Sequence, residues 1–227
     1  MIRAVLFDLD GTLYSRDDAI VRMAEVQFAT FRDQFAHVTQ SHFIERLVAL
    51  DNHGHGRIPQ LHHRLAAELG FSEHAADQLE ACFRANYPQC CQISDDTVPT
   101  LLTLRSRGFK VGMITNGPTL WQSRKIDALG IAPLFDAILI SGNEGVDKPD
   151  PRIFHRALER CGVVAAESMF VGDHPQADIH GAREAGMIPV WMKMPYWEVP
   201  ADVARIEKIS EVLKLLPSSD EEGWLRH

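Results

Sequence analysis

Two aspartates one residue apart, Asp8 and Asp10, close the apolar run Val5-Leu6-Phe7 and lead into Gly11 and Thr12. Two carboxylates at the end of a buried strand are costly unless a function uses them. An aspartate can attack phosphorus, and a second carboxylate beside it can give and take a proton. This pairing assigns Asp8 as a nucleophile and Asp10 as an acid/base. Further along the chain stand Thr115 and Asn116, then Lys148, then Asp173 and Asp178. The set suits phosphoryl transfer through an aspartyl-phosphate. Lys148 supplies positive charge, and Thr115 and Asn116 supply neutral donors to the transferring group. The carboxylates of Asp8, Asp173 and Asp178 would repel a phosphate dianion, so a divalent cation is expected among them. Oxygen ligands and phosphate chemistry favour Mg²⁺. Gly11 permits the tight turn that aims Asp8 and Asp10 at one spot. Taken singly, each feature has a plainer reading: solvated turn acids, a helix cap at Thr115 or Asn116, a surface lysine, a helix-dipole acid at Asp178.

These residues are far apart in sequence, so the fold must gather them. Short apolar runs at Val5–Phe7, Val111–Thr115, Ala137–Ile140, Met169–Val171 and Ile188–Trp191 read as buried strands, with a short one near Ala204–Ile206. Helical patterns separate them, over 96–107, to Leu129 before Gly130, from Pro151 to about Cys161, from about Gln176 to Ala185, and over Ile209–Leu216. Repeated β-α-β units imply α/β architecture: a Rossmann-like parallel sheet with helices on both faces. Such sheets place ligands at the carboxyl ends of their strands, and every candidate residue lies just after a strand or in the loop beyond it.

Between about 16 and 92 no strand signal occurs. One long amphipathic helix is expected from Asp17, with Ile20, Met23, Ala24, Phe28, Phe31 and Phe35 on its apolar face. Ser41 is expected to cap a second helix bearing Phe43, Leu47 and Leu50. Leu61, Leu65 and Leu69 mark a third, and Leu79, Cys82 and Phe83 a fourth. The expected organisation is a core domain over 1–15 and 93–216, an inserted all-helical cap domain over 16–92, and a polar tail over 217–227.

The chain has 227 residues, 45% hydrophobic and 24% charged, with a net charge of −8. The acidic balance argues against a nucleic-acid partner. No apolar run reaches the roughly 20 residues of a membrane helix, and no secretion-signal layout opens the chain. Its 4 cysteines lack metal-ligand spacing and read as reduced thiols of a cytoplasmic protein. Either a monomer or a homodimer is compatible with the sequence.

The four motifs together resemble the haloacid dehalogenase-like (HAD) hydrolase superfamily. Asp8-Leu9-Asp10-Gly11-Thr12 matches its first motif, Ile114-Thr115-Asn116-Gly117 its second, and Lys148-Pro149-Asp150-Pro151 its third. Gly172-Asp173-His174-Pro175-Gln176-Ala177-Asp178, with Gly181-Ala182 and Ala185-Gly186-Met187, matches its fourth. The helical insert is similar to the C1-type cap of subfamily I. The resemblance implies a metal held by the carboxylates of Asp8 and Asp173 and the backbone carbonyl of Asp10. It also implies that Asp178 orients a metal-bound water or Lys148. His174 and Ala177 depart from the residues common at those positions, Ser or Thr and Asn.

Within the superfamily, dehalogenases lack an aspartate two residues after the nucleophile, and Asp10 disfavours that chemistry here. Phosphonate-cleaving relatives need a cap lysine, and this chain has none before Lys110. The expectation is a Mg²⁺-dependent phosphatase acting on a small phosphorylated metabolite, such as a sugar phosphate, phosphoglycolate or a nucleotide. A phosphosugar mutase of the β-phosphoglucomutase type stays open, as does a non-catalytic binding protein on the same fold. His53, His55 and Arg57 are candidate substrate readers on the lid. A histidine metal site at His53-Gly54-His55 or His62-His63 is disfavoured for want of a further ligand. The Phe28, Phe31 and Phe35 stripe reads as cap core. Trp121, Trp191 and Trp197 carry no chemical signature in the sequence.

Overall fold

A computed structural model of the chain describes residues 1–35, 37–54, 58–198 and 202–217. Its Cα positions group into two compact units, Met1–Tyr14 with the chain from Ile93 onward, and Ser15–Gln92. Among the described residues, no helix is long and apolar enough to cross a membrane.

The first unit is built on six parallel strands: β1 (Ala4–Phe7), β2 (Lys110–Thr115), β3 (Ala137–Ile140), β4 (Ser168–Gly172), β5 (Ile188–Met192) and β6 (Ala204–Ile206). They lie in the order β3-β2-β1-β4-β5-β6. β1, whose residues are all buried, pairs with β2 on one side and β4 on the other. The chain therefore changes direction across the sheet at β1, and the crevice at such a reversal is where open α/β sheets hold ligands.

Period-two alternation sends Ala4 and Leu6 to one face, where they join Ile114, Leu139 and Phe170. A helix, Pro151–Cys161, covers that face with Ile153, Phe154, Ala157, Leu158 and Cys161. Asp150 caps it by accepting from the Arg152 amide at 2.9 Å, and Pro151 fills the first turn where no amide proton is needed. Helix and sheet meet closely because β2 carries a glycine there. A Cβ on Gly112 would lie 3.4 Å from Cys161 Sγ on the helix and 2.8 Å from Leu6 Cγ on β1.

Among its described residues the second unit holds four α-helices: α1 (Arg16–Thr30), α2 (Gln40–Asp51), α3 (Ile58–Leu69) and α4 (Glu73–Cys90). Ile20, Met23, Ala24, Phe43, Leu47, Leu65, Leu79 and Phe83 are buried among them. Gln27 and His62 share this interior, and the Gln27 amide reaches both His62 Nε2 and the Leu79 carbonyl. His62 is thus a satisfied core histidine. The half-buried His63 lies 3.2 Å from Glu73 and 3.5 Å from Asp77.

Several expected elements differ in detail. The first helix ends at Thr30, and a separate 3₁₀ turn over Arg32–Phe35 folds Phe35 onto Phe71, with ring centroids 4.1 Å apart. Phe35 is core, while Phe28 and Phe31 are only half-buried. Thr39, not Ser41, caps α2, because its hydroxyl accepts from the His42 amide. The expected helix after β4 begins as a π-helical turn, Pro175–His180, and becomes α only over Gly181–Glu184. The final helix is a 3₁₀ segment, Ile209–Leu215. Helix ends and short terminal helices respond to packing more than to sequence pattern. All four cysteines are free. His55, Arg57 and most of the expected tail, 218–227, lie outside the described residues.

Phe154 is fully buried and meets Phe170 edge-on at 5.0 Å. Phe154→Ala is expected to destabilise the protein by about 3–5 kcal/mol, read as a lower denaturant midpoint with an unchanged m-value.

Candidate active site

Three strand ends and one loop converge on a single lysine. Lys148 reaches under the carboxyl edge of the sheet, and Nζ donates to Asp8 Oδ1 at 2.5 Å, Asp178 Oδ1 at 2.7 Å and the Ile114 carbonyl at 2.9 Å. Its three protons are committed to protein groups, so it offers the site its charge while fixing Asp8 and Asp178. The Asn116 amide in turn fixes Lys148. Asn116 Nδ2 donates to the Lys148 carbonyl at 2.9 Å, and Asn116 Oδ1 accepts from the Lys148 amide at 2.8 Å. Asn116 therefore spends its side chain on holding the lysine loop as well as facing the strand end.

Asp8 is placed by β1, with its amide donating to the Val171 carbonyl at 2.8 Å. Ligand atoms of Asp8, Asp173 and Asp178 all lie within 4.8 Å of one another. The second oxygen of Asp178 accepts from the His174 amide at 2.9 Å. Trp191 Nε1 donates to the Asp173 carbonyl at 2.9 Å, giving Trp191 a role in holding that loop. The imidazole at His174 accepts through Nδ1 from the amides of Gln176 and Ala177. It caps the π-helical turn as a hydroxyl would, which accounts for a histidine at this position.

Two glycines keep space for these carboxylates. Gly11 has φ +82, and a Cβ there would lie 2.5 Å from Asp173 Oδ2. A Cβ on Gly172 would lie 2.4 Å from the Asp178 carboxyl carbon. Among the described residues, the neighbouring Thr12 hydroxyl is buried without a hydrogen-bond partner.

Asp10 takes a different set of contacts. Lys125 Nζ and the Tyr14 hydroxyl both bond to Asp10 Oδ1, and Gln122 Nε2 donates to Asp10 Oδ2 at 2.8 Å. Gln122 also bonds to the Thr115 hydroxyl. Sequence reasoning did not single out Gln122, Lys125 or Tyr14. The first two sit on the helix Thr119–Leu129, where polar residues at this spacing ordinarily face solvent.

Electrostatics are set by three carboxylates around one ammonium. Burial above all, then the charges of Asp178 and Asp10, push Asp8 up to about 7 against the pull of Lys148. Asp173 is raised well above the usual carboxylate range by burial and by Asp178 and Asp8. Burial works against the Lys148 charge, but Asp178 and Asp8 outweigh it and hold the ammonium above the usual lysine range. A cluster left with excess negative charge and all-oxygen donors fits a hard divalent cation.

Adding one methyl at Gly172 is therefore expected to displace Asp178 and release Lys148. Gly172→Ala should cost about 1–3 kcal/mol in thermal unfolding, and a divalent cation should stabilise the variant less than it stabilises the parent protein.

A family model of haloacid dehalogenase-like hydrolases matches residues 2–186. A glyceraldehyde 3-phosphate phosphatase of Methanopyrus kandleri is 34% identical over 204 residues, covering 84% of this chain and 83% of that protein. A phosphoserine phosphatase of Thermus thermophilus is 40% identical over 125 residues, 54% of this chain and about half, 49%, of that relative's own length. Among solved structures, a 2-haloacid dehalogenase from Pseudomonas syringae pv. Tomato DC3000 superposes with a TM-score of 0.61 at 31% identity, covering 95% of this chain and 98% of that one. The chain belongs to the haloacid dehalogenase-like hydrolases.

Proposed function

We propose that this hydrolase is a Mg²⁺-dependent phosphatase that cleaves a small phosphomonoester through a phosphoryl-Asp8 intermediate. The observation that carries the reading is the buried grouping of Asp8, Asp173 and Asp178 around Lys148. Asp8 attacks phosphorus, the bond to the leaving oxygen breaks, and Asp10 gives that oxygen its proton. A water then attacks the phosphoryl group, Asp10 takes its proton, and the Asp8 carboxylate and inorganic phosphate separate. Thr115 faces the transferring group, while Asn116 holds Lys148 in place. The carboxylates of Asp8 and Asp173, with the Asp10 carbonyl, are the ligands proposed for Mg²⁺. Bound there, the ion offsets the charge that gathers when a phosphate approaches three carboxylates.

A halide leaves without a proton, whereas an alkoxide needs one. An acid/base as firmly placed as Asp10 therefore favours an oxygen leaving group over a halide, although a structural neighbour is a dehalogenase. The relatives named for glyceraldehyde 3-phosphate and phosphoserine support a substrate of similarly small size. Selection of that substrate is proposed to lie with the inserted helical unit.

A panel of phosphomonoesters with Mg²⁺ is expected to release inorganic phosphate. No turnover by folded, metal-loaded protein would sink the reading, and isomerisation of a sugar phosphate without phosphate release would replace it with a mutase. Asp8→Asn should lower kcat by at least about a thousandfold while circular dichroism stays unchanged.

Metal and protons compete for the same oxygens. The folded-state pKa of Asp8, about 7, exceeds its ordinary value of 3.8, so its burial favours the folded state most at low pH. That contribution is lost as pH rises through the interval between the two values, and Asp173 acts in the same direction. Mg²⁺ is expected to raise the unfolding midpoint of chelator-treated protein more at about pH 8 than at about pH 5.5. An equal shift at both would contradict the proposed ligands.

A further inference from the structure

The phosphatase reading leaves a second buried lysine unexplained. Lys125 has a side chain only 2% exposed, and its ammonium is paired with Asp10. Three residues earlier on the same helix face, Gln122 is equally enclosed. Its amide nitrogen bonds to Asp10 on one side and to Thr115 on the other. Tyr14 closes the arrangement from the chain's own first loop. Its hydroxyl bonds to Asp10, its backbone carbonyl accepts from the Gly11 amide at 3.1 Å, and its ring lies 5.9 Å from the Lys125 ammonium.

Stability alone does not account for this investment. Removing an ammonium and an amide from water costs several kcal/mol before pairing returns it, and packed apolar side chains of the same volume commonly serve stability as well or better. Apolar side chains cannot aim a carboxylate. Three donors from two separate segments fix both oxygens of Asp10 and leave it little rotational freedom. Proton transfer to a leaving group depends on placement at the ångström level, and small displacements cost large factors in rate. Gln122 adds a second link. One amide spans the acid/base and Thr115, so the group that moves the proton and the hydroxyl that faces the transferring phosphoryl share one support.

We infer that Lys125 and Gln122 are positioning residues that hold Asp10 in register with Thr115 for proton transfer to the leaving oxygen. The inference rests on the phosphatase reading. It makes a claim that a simple structural brace does not: the defect must grow with the leaving group's need for a proton. An alkyl phosphate expels an alkoxide that must be protonated. 4-Nitrophenyl phosphate expels a stable phenolate that needs no proton.

The test compares kcat/KM on these two substrates, since that constant reports the steps through loss of the leaving group. Lys125→Met is expected to lower kcat/KM on the best alkyl phosphate of the panel at least about tenfold more than on 4-nitrophenyl phosphate. Asp10→Asn should show the same bias, and adding Lys125→Met to Asp10→Asn should cost little more, because the two act as a unit. Gln122→Met keeps the ion pair and removes the link to Thr115. It should show the same bias, and it carries the test alone if Lys125→Met does not fold. Equal losses on both substrates, or no loss on either, would overturn the inference. Wild-type protein that hydrolyses neither substrate would instead overturn the phosphatase reading beneath it.

Discussion

The site depends on a charge imbalance that the fold itself imposes. One ammonium, Lys148, stands between the carboxylates of Asp8 and Asp178, with Asp173 close by. Two ion pairs at such distances are strongly favourable in a dry interior, yet a third carboxylate leaves the cluster short of positive charge. Burial first, and then the charges of the neighbouring carboxylates, raise the pKa values of Asp8 and Asp173. A protein selected for stability alone would have no reason to bury this set. The strain is consistent with a site completed by a cation.

Around this centre the support is layered. Asn116 clamps the lysine's own backbone, His174 caps the turn that carries Asp178, and Trp191 anchors the Asp173 carbonyl. Glycines at positions 11 and 172 complete the layer by supplying emptiness, since any side chain there would occupy carboxylate space. Residues outside the carboxylate cluster thus decide where the carboxylates stand.

Much of this could be read before any coordinates. Strands β1 to β5 were legible as continuous apolar runs near Gly and Pro, and the residues after β1 and β4 carry charge. Lys148 was legible from its place before Pro149-Asp150-Pro151, not from its type. Lys125 and Gln122 were not legible. On a helix that is half-exposed, a lysine and a glutamine match the solvent face, and only the sheet's position reveals that they point inward. The end of α1 and the π-helical turn at Pro175–His180 were missed for a related reason. Helix length and helix type there follow packing and side-chain capping rather than periodicity.

The strand order has a further bearing on how the molecule is made. β1 is translated before β2 and β4 and sits between them. Its partners emerge only after the whole helical insert has been synthesised, so a fully apolar segment waits a long time for its neighbours. The inserted helices make mostly local contacts, which form quickly and at little loop-closure cost. That compact unit directly follows β1, so its helices are synthesised while the sheet is still incomplete. Asp8 is translated well before its partners, and the nascent chain holds no complete carboxylate cluster until Asp178 has followed.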